Sequence, residues 1–256
     1  MRRAACLLTL GAALSAACGG SSAPSSETPA ARDRIVFAAS ADATTLDPHN
    51  TTDTESDQVI MMVFETLIGF DDQMKIVPRL AERWEVAPDG TTWTFHLRDG
   101  VTFHDGTPLD AAAVAASFAR VLDPVAAHKR LTLFSMIDRV ETVDPRTVRF
   151  VTKYPFGAFE PTIAHVSAAI LNPKVAASAG KGFGLTAEAT SGSGPYRVVS
   201  WKKDQEIVLE RYDGYWGAKG VTRQIVYRPI PEAASRVLAL ETGDVDAINR
   251  VPASDI

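Results

Sequence analysis

The chain predicts an α/β fold with mixed sheets. The prediction rests on strictly patterned strand segments, amphipathic helices between them, and Asp-Gly or Gly-Pro turn signals that separate the two. Ile35 to Ala39 is a continuous apolar run of the kind a buried strand shows, and it feeds a polar loop closed by Pro48. Between Asp57 and Ile68 the apolar residues Ile60, Val63, Phe64 and Leu67 fall at i, i+3, i+4 and i+7. That spacing predicts an amphipathic helix with Thr54 or Ser56 as its cap.

Thr92 to Arg98, bracketed by Asp89-Gly90 and Asp99-Gly100, alternates so that Trp93, Phe95 and Leu97 share one face of a strand. Val101 and Phe103 continue beyond the turn. Asp105-Gly106 then precedes a helix capped by Asp110, with Val114, Phe118 and Val121 as its buried stripe. Arg139 to Thr152 reads as a hairpin turning at Asp144-Pro145-Arg146, with Val148 and Phe150 on one side.

Gly180 to Gly184 and Ser191 to Pro195 mark loops. Tyr196 to Lys202 and Glu206 to Tyr212 are two further strands, and Asp213 to Gly217 is a turn. Ile225 to Arg228 is another strand. Pro231 suits the first turn of a helix ending at Gly243, and Val245 to Ile248 begins one more strand.

Ahead of this body, Arg2 and Arg3 precede an apolar run from Ala4 to Leu14 and the small residues Ser15, Ala16 and Ala17, the layout of a secretory signal over residues 1–17. The run is shorter than the roughly 20 residues a membrane span needs. Of two cysteines, Cys6 lies inside this leader, so Cys18 alone would remain in the mature chain. Leu14-Ser15-Ala16-Ala17-Cys18 is similar to a bacterial lipobox, except that the large aliphatic residue sits one position early. Lipidation of Cys18 is therefore expected, the alternative being an ordinary secretory signal cut after Ala17. Residues 18–33 hold no large apolar side chain and read as a tether, so the folded body begins at residue 34.

The formal net charge is −5, and loss of Arg2 and Arg3 with the leader takes it to −7. No dense Lys/Arg cluster exists, which argues against a nucleic-acid partner. His49, His96, His104, His128 and His165 are scattered without a metal-ligand spacing, and each reads as a surface or hydrogen-bonded histidine. Gly192-Ser193-Gly194 does not follow the nucleophile-elbow pattern, and Gly182-Phe183-Gly184 lacks the rest of a phosphate-binding loop. Trp84, Trp93, Trp201 and Trp216 read as core residues rather than ligand-stacking ones. No catalytic residue, metal site or cofactor is expected.

Several segments, collinear from about residue 35 onward, carry a resemblance. They are Thr45 to Pro48 (TLDP), Val63 to Leu67 (VFETL), Ile76 to Trp84 (IVPRLAERW), Asp89 to Arg98 (DGTTWTFHLR) and Val101 to Pro108 (VTFHDGTP). Ser193 to Tyr196 (SGPY), Tyr212 to Trp216 (YDGYW) and Leu240 to Asp246 (LETGDVD) complete the set. In this order the chain resembles the family 5 extracellular solute-binding proteins, the group that includes oligopeptide, dipeptide and nickel-chelate receptors. The resemblance implies a periplasmic-binding-protein-like clamshell of type II, class C-like, whose first lobe holds two mixed-sheet α/β subdomains. Residues 34–256 would be that lobe, with the second lobe missing.

The mechanism so implied is closure of two lobes around a solute, followed by docking on an importer. The expected partners are a peptide or other small-molecule solute, the membrane subunits of an ABC importer, and the membrane itself through the lipid on Cys18. A monomer is expected. Solute contacts are expected from Thr44 and Thr45 after the first strand, from Arg130 and Phe134 after the Asp110 helix, from Ser167, and from Ser193 and Gly194. Arg130 would meet a carboxylate, with a solvated helix-end charge as its alternative role, and Phe134 would form an apolar wall. Two other readings stay open: a secreted hydrolase whose active site lies beyond this sequence, and a remnant without transport function.

Overall fold

The computed structural model describes residues 33–253. The expected leader, the Cys18 junction and the tether as far as residue 32 lie outside the described residues. The body is built on two principal sheets, each with its own core.

In the first sheet, β1 (Arg34–Ala39) lies between two parallel neighbours, β10 (Gln224–Pro229) and β11 (Ala247–Ile248). Parallel neighbours require a crossover, and α5 (Ala233–Glu241) supplies it between β10 and β11. β9 (Glu206–Arg211) joins β10 antiparallel, and β8 (Tyr196–Lys202) completes a hairpin at the edge, giving the order β11-β1-β10-β9-β8. This sheet is mixed, as the sequence predicts. Leu46, Ile60, Val63, Phe183 and Leu209 are buried in the core that α1 (Thr54–Val63) closes over it.

The second sheet is antiparallel throughout, in the order β4-β5-β7-β6, from β4 (Ala81–Val86), β5 (Thr92–Leu97), β6 (Ile137–Asp144) and β7 (Thr147–Thr152). Trp93, Phe95 and Leu97 alternate inward on β5 as predicted. α2 (Ala111–Leu122) is capped by Asp110, whose carboxylate accepts from the Ala113 amide. It buries Val114, Phe118 and Val121 against the sheet. Phe118 meets Phe150 edge-on at 4.8 Å and Phe134 at 5.6 Å, so aromatic packing joins helix, sheet and the 3-10 turn Leu131–Phe134. A short ribbon of β2 (Ile68–Phe70) and β3 (Ile76–Pro78), and the helices α3 (Phe159–Ile163) and α4 (Pro173–Ala179), complete the fold.

Three local expectations are corrected. The first helix starts at Thr54 and stops at Val63, and its cap is Asp53, whose carboxylate accepts from the Ser56 amide. Phe64 and Leu67 keep the predicted burial, but they do so in extended backbone after the helix. Pro231 lies ahead of α5 rather than in its first turn, because Glu232 is the cap and accepts from the Ser235 amide. The sequence also gives no sign of β4: Glu82, Arg83 and Glu85 make it charged, which an edge strand tolerates on its exposed side.

The tryptophans are packed as expected. Trp93 belongs to the core, and Trp84, Trp201 and Trp216 lie half-buried against the two clusters. No helix among the described residues is long and apolar enough to cross a membrane.

Candidate functional site

The loop leaving β1 is fixed from below by a buried polar network. Asp47, 2% exposed, receives Arg120 from α2 on both oxygens, at 3.1 Å and 2.6 Å, together with the His49 amide and the side chain of Asn50. Burial alone would raise the Asp47 pKa, but the hydrogen bonds and charge of Arg120 outweigh it and hold the carboxyl below its ordinary value. His49 is fully buried, and desolvation drives its pKa down to about 3. Its Nδ1 faces an Arg120 amino group at 2.8 Å and must accept, since a guanidinium only donates. The other ring nitrogen therefore carries the proton, toward the Ala169 backbone.

The loop is pinned from the side as well. Leu46 donates its amide to the Gly184 carbonyl at 2.7 Å, and the Thr45 hydroxyl reaches the same oxygen. Gly184 has φ +73°, and a Cβ there would lie 2.2 Å from the Asp47 nitrogen, so only glycine permits this approach.

The loop then delivers the chain into α1, whose first turns form one wall of a polar patch. Asp57 and Gln58 on α1 are half-buried, and the 3-10 turn Val166–Ala168 packs against the helix. Arg130 donates its Nε to the Thr51 carbonyl at 2.7 Å and its amide to the His49 carbonyl. Among the described residues, neither terminal amino group of Arg130 has a hydrogen bond or ion-pair partner. His165 accepts the Ser167 amide on Nδ1 at 3.1 Å, which leaves its other nitrogen as a donor when the ring is neutral.

Two polar atoms in this patch, Asp57 Oδ1 and Ser167 Oγ, and Gln58 Oε1 one residue along α1, are buried without a hydrogen-bond partner. Groups orphaned in this way are uncommon in folded proteins, and each takes a partner from outside the chain, a bound water or a solute. Burial raises the Asp57 pKa, an effect that Thr51 and the charges of Arg130 and His165 only partly offset. Burial together with the Arg130 charge lowers that of His165.

Farther along α1, a cavity of about 350 Å³ opens beside Met61, Phe64, Val166 and Ala169, with Glu65 and Arg79 at its walls. The Glu65 carboxylate is fully engaged: Ser193 and Trp216 donate to one oxygen and Tyr215 to the other, at 2.9 to 3.0 Å. A larger groove of about 710 Å³ lies between α2 and α4, over Ala116, Arg120, His128 and Leu171. The charge of Arg120 beneath it is already matched by Asp47. Among the described residues no group of three or more His, Cys, Asp or Glu side chains is placed to hold a metal ion.

The residues singled out in the sequence divide accordingly. Arg130 and Ser167 fall in the polar patch, Ser167 with no exposed surface of its own, while Thr44 stands exposed at the start of α1, its hydroxyl on the Asp53 cap. Thr45, Ser193 and Gly194 spend their polar atoms inside the protein: Ser193 on Glu65, Gly194 on the Val63 carbonyl and the His104 ring, and Thr45 on the Gly184 carbonyl and the Asp47 amide. Phe134 has no exposed surface and sits in the aromatic core, so it is no wall for a solute. Asp57, Gln58 and His165 were not legible as site residues. On the sequence they are the polar flank of a helix and a scattered histidine.

A two-sheet α/β lobe with one mixed and one antiparallel sheet is the architecture of a type II periplasmic-binding-protein lobe. Residues 75–256 match the family described as bacterial extracellular solute-binding proteins, family 5 Middle, and the chain belongs to this family. It is 36% identical over 225 residues to the glutathione-binding protein GsiB of Pectobacterium atrosepticum and to that of Escherichia coli K12, covering 87% of this chain and 43% of each relative. Among solved structures it is similar to AgaA from A. tumefaciens R10 in complex with agropinic acid, at 32% identity and a TM-score of 0.81 over 87% of this chain and 45% of that one. It is also similar to DppA from Helicobacter pylori in complex with the peptide STSA, at 31% identity and a TM-score of 0.76 over 83% and 45%. The chain thus spans less than half the length of the relatives it matches.

Proposed function

We propose that this chain is the solute-capturing lobe of an ABC importer's receptor, which takes up peptides or related small solutes outside the cytoplasmic membrane and hands them to the permease. The observation that carries the reading is the polar patch: two Arg130 amino groups without hydrogen-bond partners and a His165 donor beside the half-buried Asp57, on a lobe of the solute-binding family. Such a surface binds through hydrogen bonds and charge and needs no covalent chemistry, in keeping with relatives that are binding proteins rather than enzymes. Closure of a second lobe over it would exclude water and strengthen each of those contacts. Lipidation of Cys18 would keep the receptor at the membrane beside its permease.

The test is calorimetric titration of the purified protein with glutathione and with di- and tripeptides, before and after Arg130→Ala. Saturable binding that the substitution weakens supports the proposal. Binding that is indifferent to Arg130 places the site elsewhere, and the absence of binding to every solute in a protein carrying both lobes defeats the receptor reading. Intact mass of the native protein checks the anchor, because an unmodified Cys18 removes it.

A further inference from the structure

The groove between α2 and α4 is a second hollow, separate from the polar patch. Its volume of about 710 Å³ is in the range that small-molecule sites occupy, and none of Asp57, Arg130, His165 and Ser167 lines it. Ala116, Leu171, Pro173 and Ala176 give it an apolar surface.

The polar side chains it leaves for a ligand are donors. Arg120 lines the groove and its partner Asp47 does not; the guanidinium is 18% exposed and the carboxylate 2%, so the positive end of that ion pair is the one a ligand meets. Asn50 donates its Nδ2 to the His128 Nδ1 at 3.0 Å, in an orientation fixed by its bonds with the Asp47 carboxylate and the Lys129 amide. The His128 proton therefore sits on Nε2, which has no hydrogen-bond partner among the described residues. Burial and the Arg120 charge lower the pKa of this ring, and Asp47 and Asp123 only partly oppose them, so it is a neutral donor at neutral pH. Lys181 also lines the groove, and among the described residues its ammonium has no ion-pair or hydrogen-bond partner. The Ser117 hydroxyl is occupied, donating to the Ala113 carbonyl and accepting from the Leu171 amide.

Among the described residues no Asp or Glu lines the groove, although the chain as a whole has a formal net charge of −5. With Asp47 matched to Arg120, one full positive charge, that of Lys181, remains for a ligand to meet. A monoanion balances it. A dianion such as phosphate would carry one charge too many and leave the apolar surface uncovered.

We propose that this groove binds a small apolar carboxylate. Its head group takes the His128 Nε2–H and the Lys181 ammonium, which reaches it on a flexible stem, and its body lies on Leu171, Pro173 and Ala176. The site is distinct from the solute patch but shares a segment with it: Asn50 lines the groove, and the carbonyls of its neighbours His49 and Thr51 are the two that hold Arg130.

The test is titration of the ¹⁵N-labelled protein followed by amide chemical shifts, which detect weak binding and report its location. The probes are octanoate, 1-octanol, octylamine and inorganic phosphate, with the amphiphiles kept below their micelle-forming concentrations. Octanoate is expected to shift the amides of Asn50, Leu171 and Lys181 and to bind about tenfold more tightly than 1-octanol, the worth of one hydrogen bond to a charged acceptor. Octylamine, of the opposite charge, is expected to bind more weakly than either, and phosphate to leave those amides unmoved. Lys181→Gln should weaken octanoate by about threefold, as suits an exposed charge pair, and leave 1-octanol unaffected. Ala116→Trp, at an exposed position of α2, should fill the groove and abolish the shifts without changing the melting temperature.

Octanol or octylamine binding as tightly as octanoate overturns the inference, as does phosphate moving the groove amides. Octanoate shifts confined to Val166 and Ser167, no shift with any probe, or octanoate binding that survives Ala116→Trp would overturn it equally. None of these results bears on the receptor reading, which is decided by glutathione and the peptides.

Discussion

Arg120 and Asp47 meet in a two-pronged ion pair, at 2.6 Å and 3.1 Å, that joins α2 to the loop leaving β1. The carboxylate is 2% exposed and the guanidinium 18%, so removing the cation strands a charge that water cannot reach. Arg120→Met should therefore cost about 3 kcal/mol of unfolding free energy, measured by urea titration. The double variant Arg120→Met with Asp47→Asn should recover part of that loss, because no buried charge is left unpaired. If the double variant is no more stable than the single one, the damage comes from lost packing rather than from the stranded carboxylate.

Two histidines make stability sensitive to mild acid. Desolvation lowers His49 to about 3 and His104 to about 4, from an ordinary value of 6.5. Below pH 6.5 the unfolded chain takes up protons that the folded chain refuses, so stability falls as pH drops from 6.5 toward 4. The slope is at most about 1.4 kcal/mol per pH unit for each histidine. Thermal melts from pH 4 to pH 7 should show this decline, and His104→Asn should make it shallower. A melting temperature flat over that range contradicts the neutral, buried state of both rings.

Much of the framework is legible in the sequence because periodicity is a local property. The alternation of Trp93, Phe95 and Leu97 and the Asp110 cap with its Val114, Phe118 and Val121 stripe each follow from a few neighbouring residues. The polar patch is not local. It brings together residues 57, 130, 165 and 167, and nothing in any one segment distinguishes Asp57 from an ordinary solvated helix residue. Ser193 and Phe134 err for the same reason in reverse. A Gly-flanked serine suggests an open loop, but the hydroxyl turns inward to Glu65, a residue 128 positions away.

Phe134 tests that distinction directly. It is fully buried and meets Phe118 at 5.6 Å with an interplanar angle of 87°. Phe134→Leu should lower stability by about 1 to 2 kcal/mol through lost aromatic packing, while leaving solute affinity unchanged in the protein that remains folded. A selective loss of affinity without a loss of stability would return Phe134 to the binding surface.

Gly184 carries a backbone constraint that stability and binding should both register. Alanine at φ +73° is strained, and its Cβ would collide with the backbone at Leu46 and Asp47. Gly184→Ala should displace the loop after β1, cost more than the roughly 1 kcal/mol expected from the dihedral alone, and weaken solute binding through the shifted Thr51 and Arg130. Amide shifts at Leu46 and Asp47, read beside the melting temperature, check this. If those amides stay in place, the strand-to-loop junction is softer than its contacts indicate.

Glu65 separates the role of a charge from that of an acceptor. Ser193 and Trp216 donate to one of its oxygens and Tyr215 to the other, and burial, with the carboxylate beside it, pushes the Tyr215 phenol pKa upward. In Glu65→Gln the amide oxygen can take the Ser193 and Trp216 donors while its NH₂ donates to the Tyr215 hydroxyl, which can turn and accept. That exchange should cost about 1 kcal/mol or less. Glu65→Ala has no such repair: the indole N–H only donates, so it is left without an acceptor, and the loss should reach about 3 kcal/mol with a shift in tryptophan fluorescence. Urea titration of the two variants gives the comparison. Equal damage from both would mean that the negative charge itself, rather than the hydrogen bonds it accepts, holds the Ser191–Pro195 loop and the Asp213–Gly217 turn against α1.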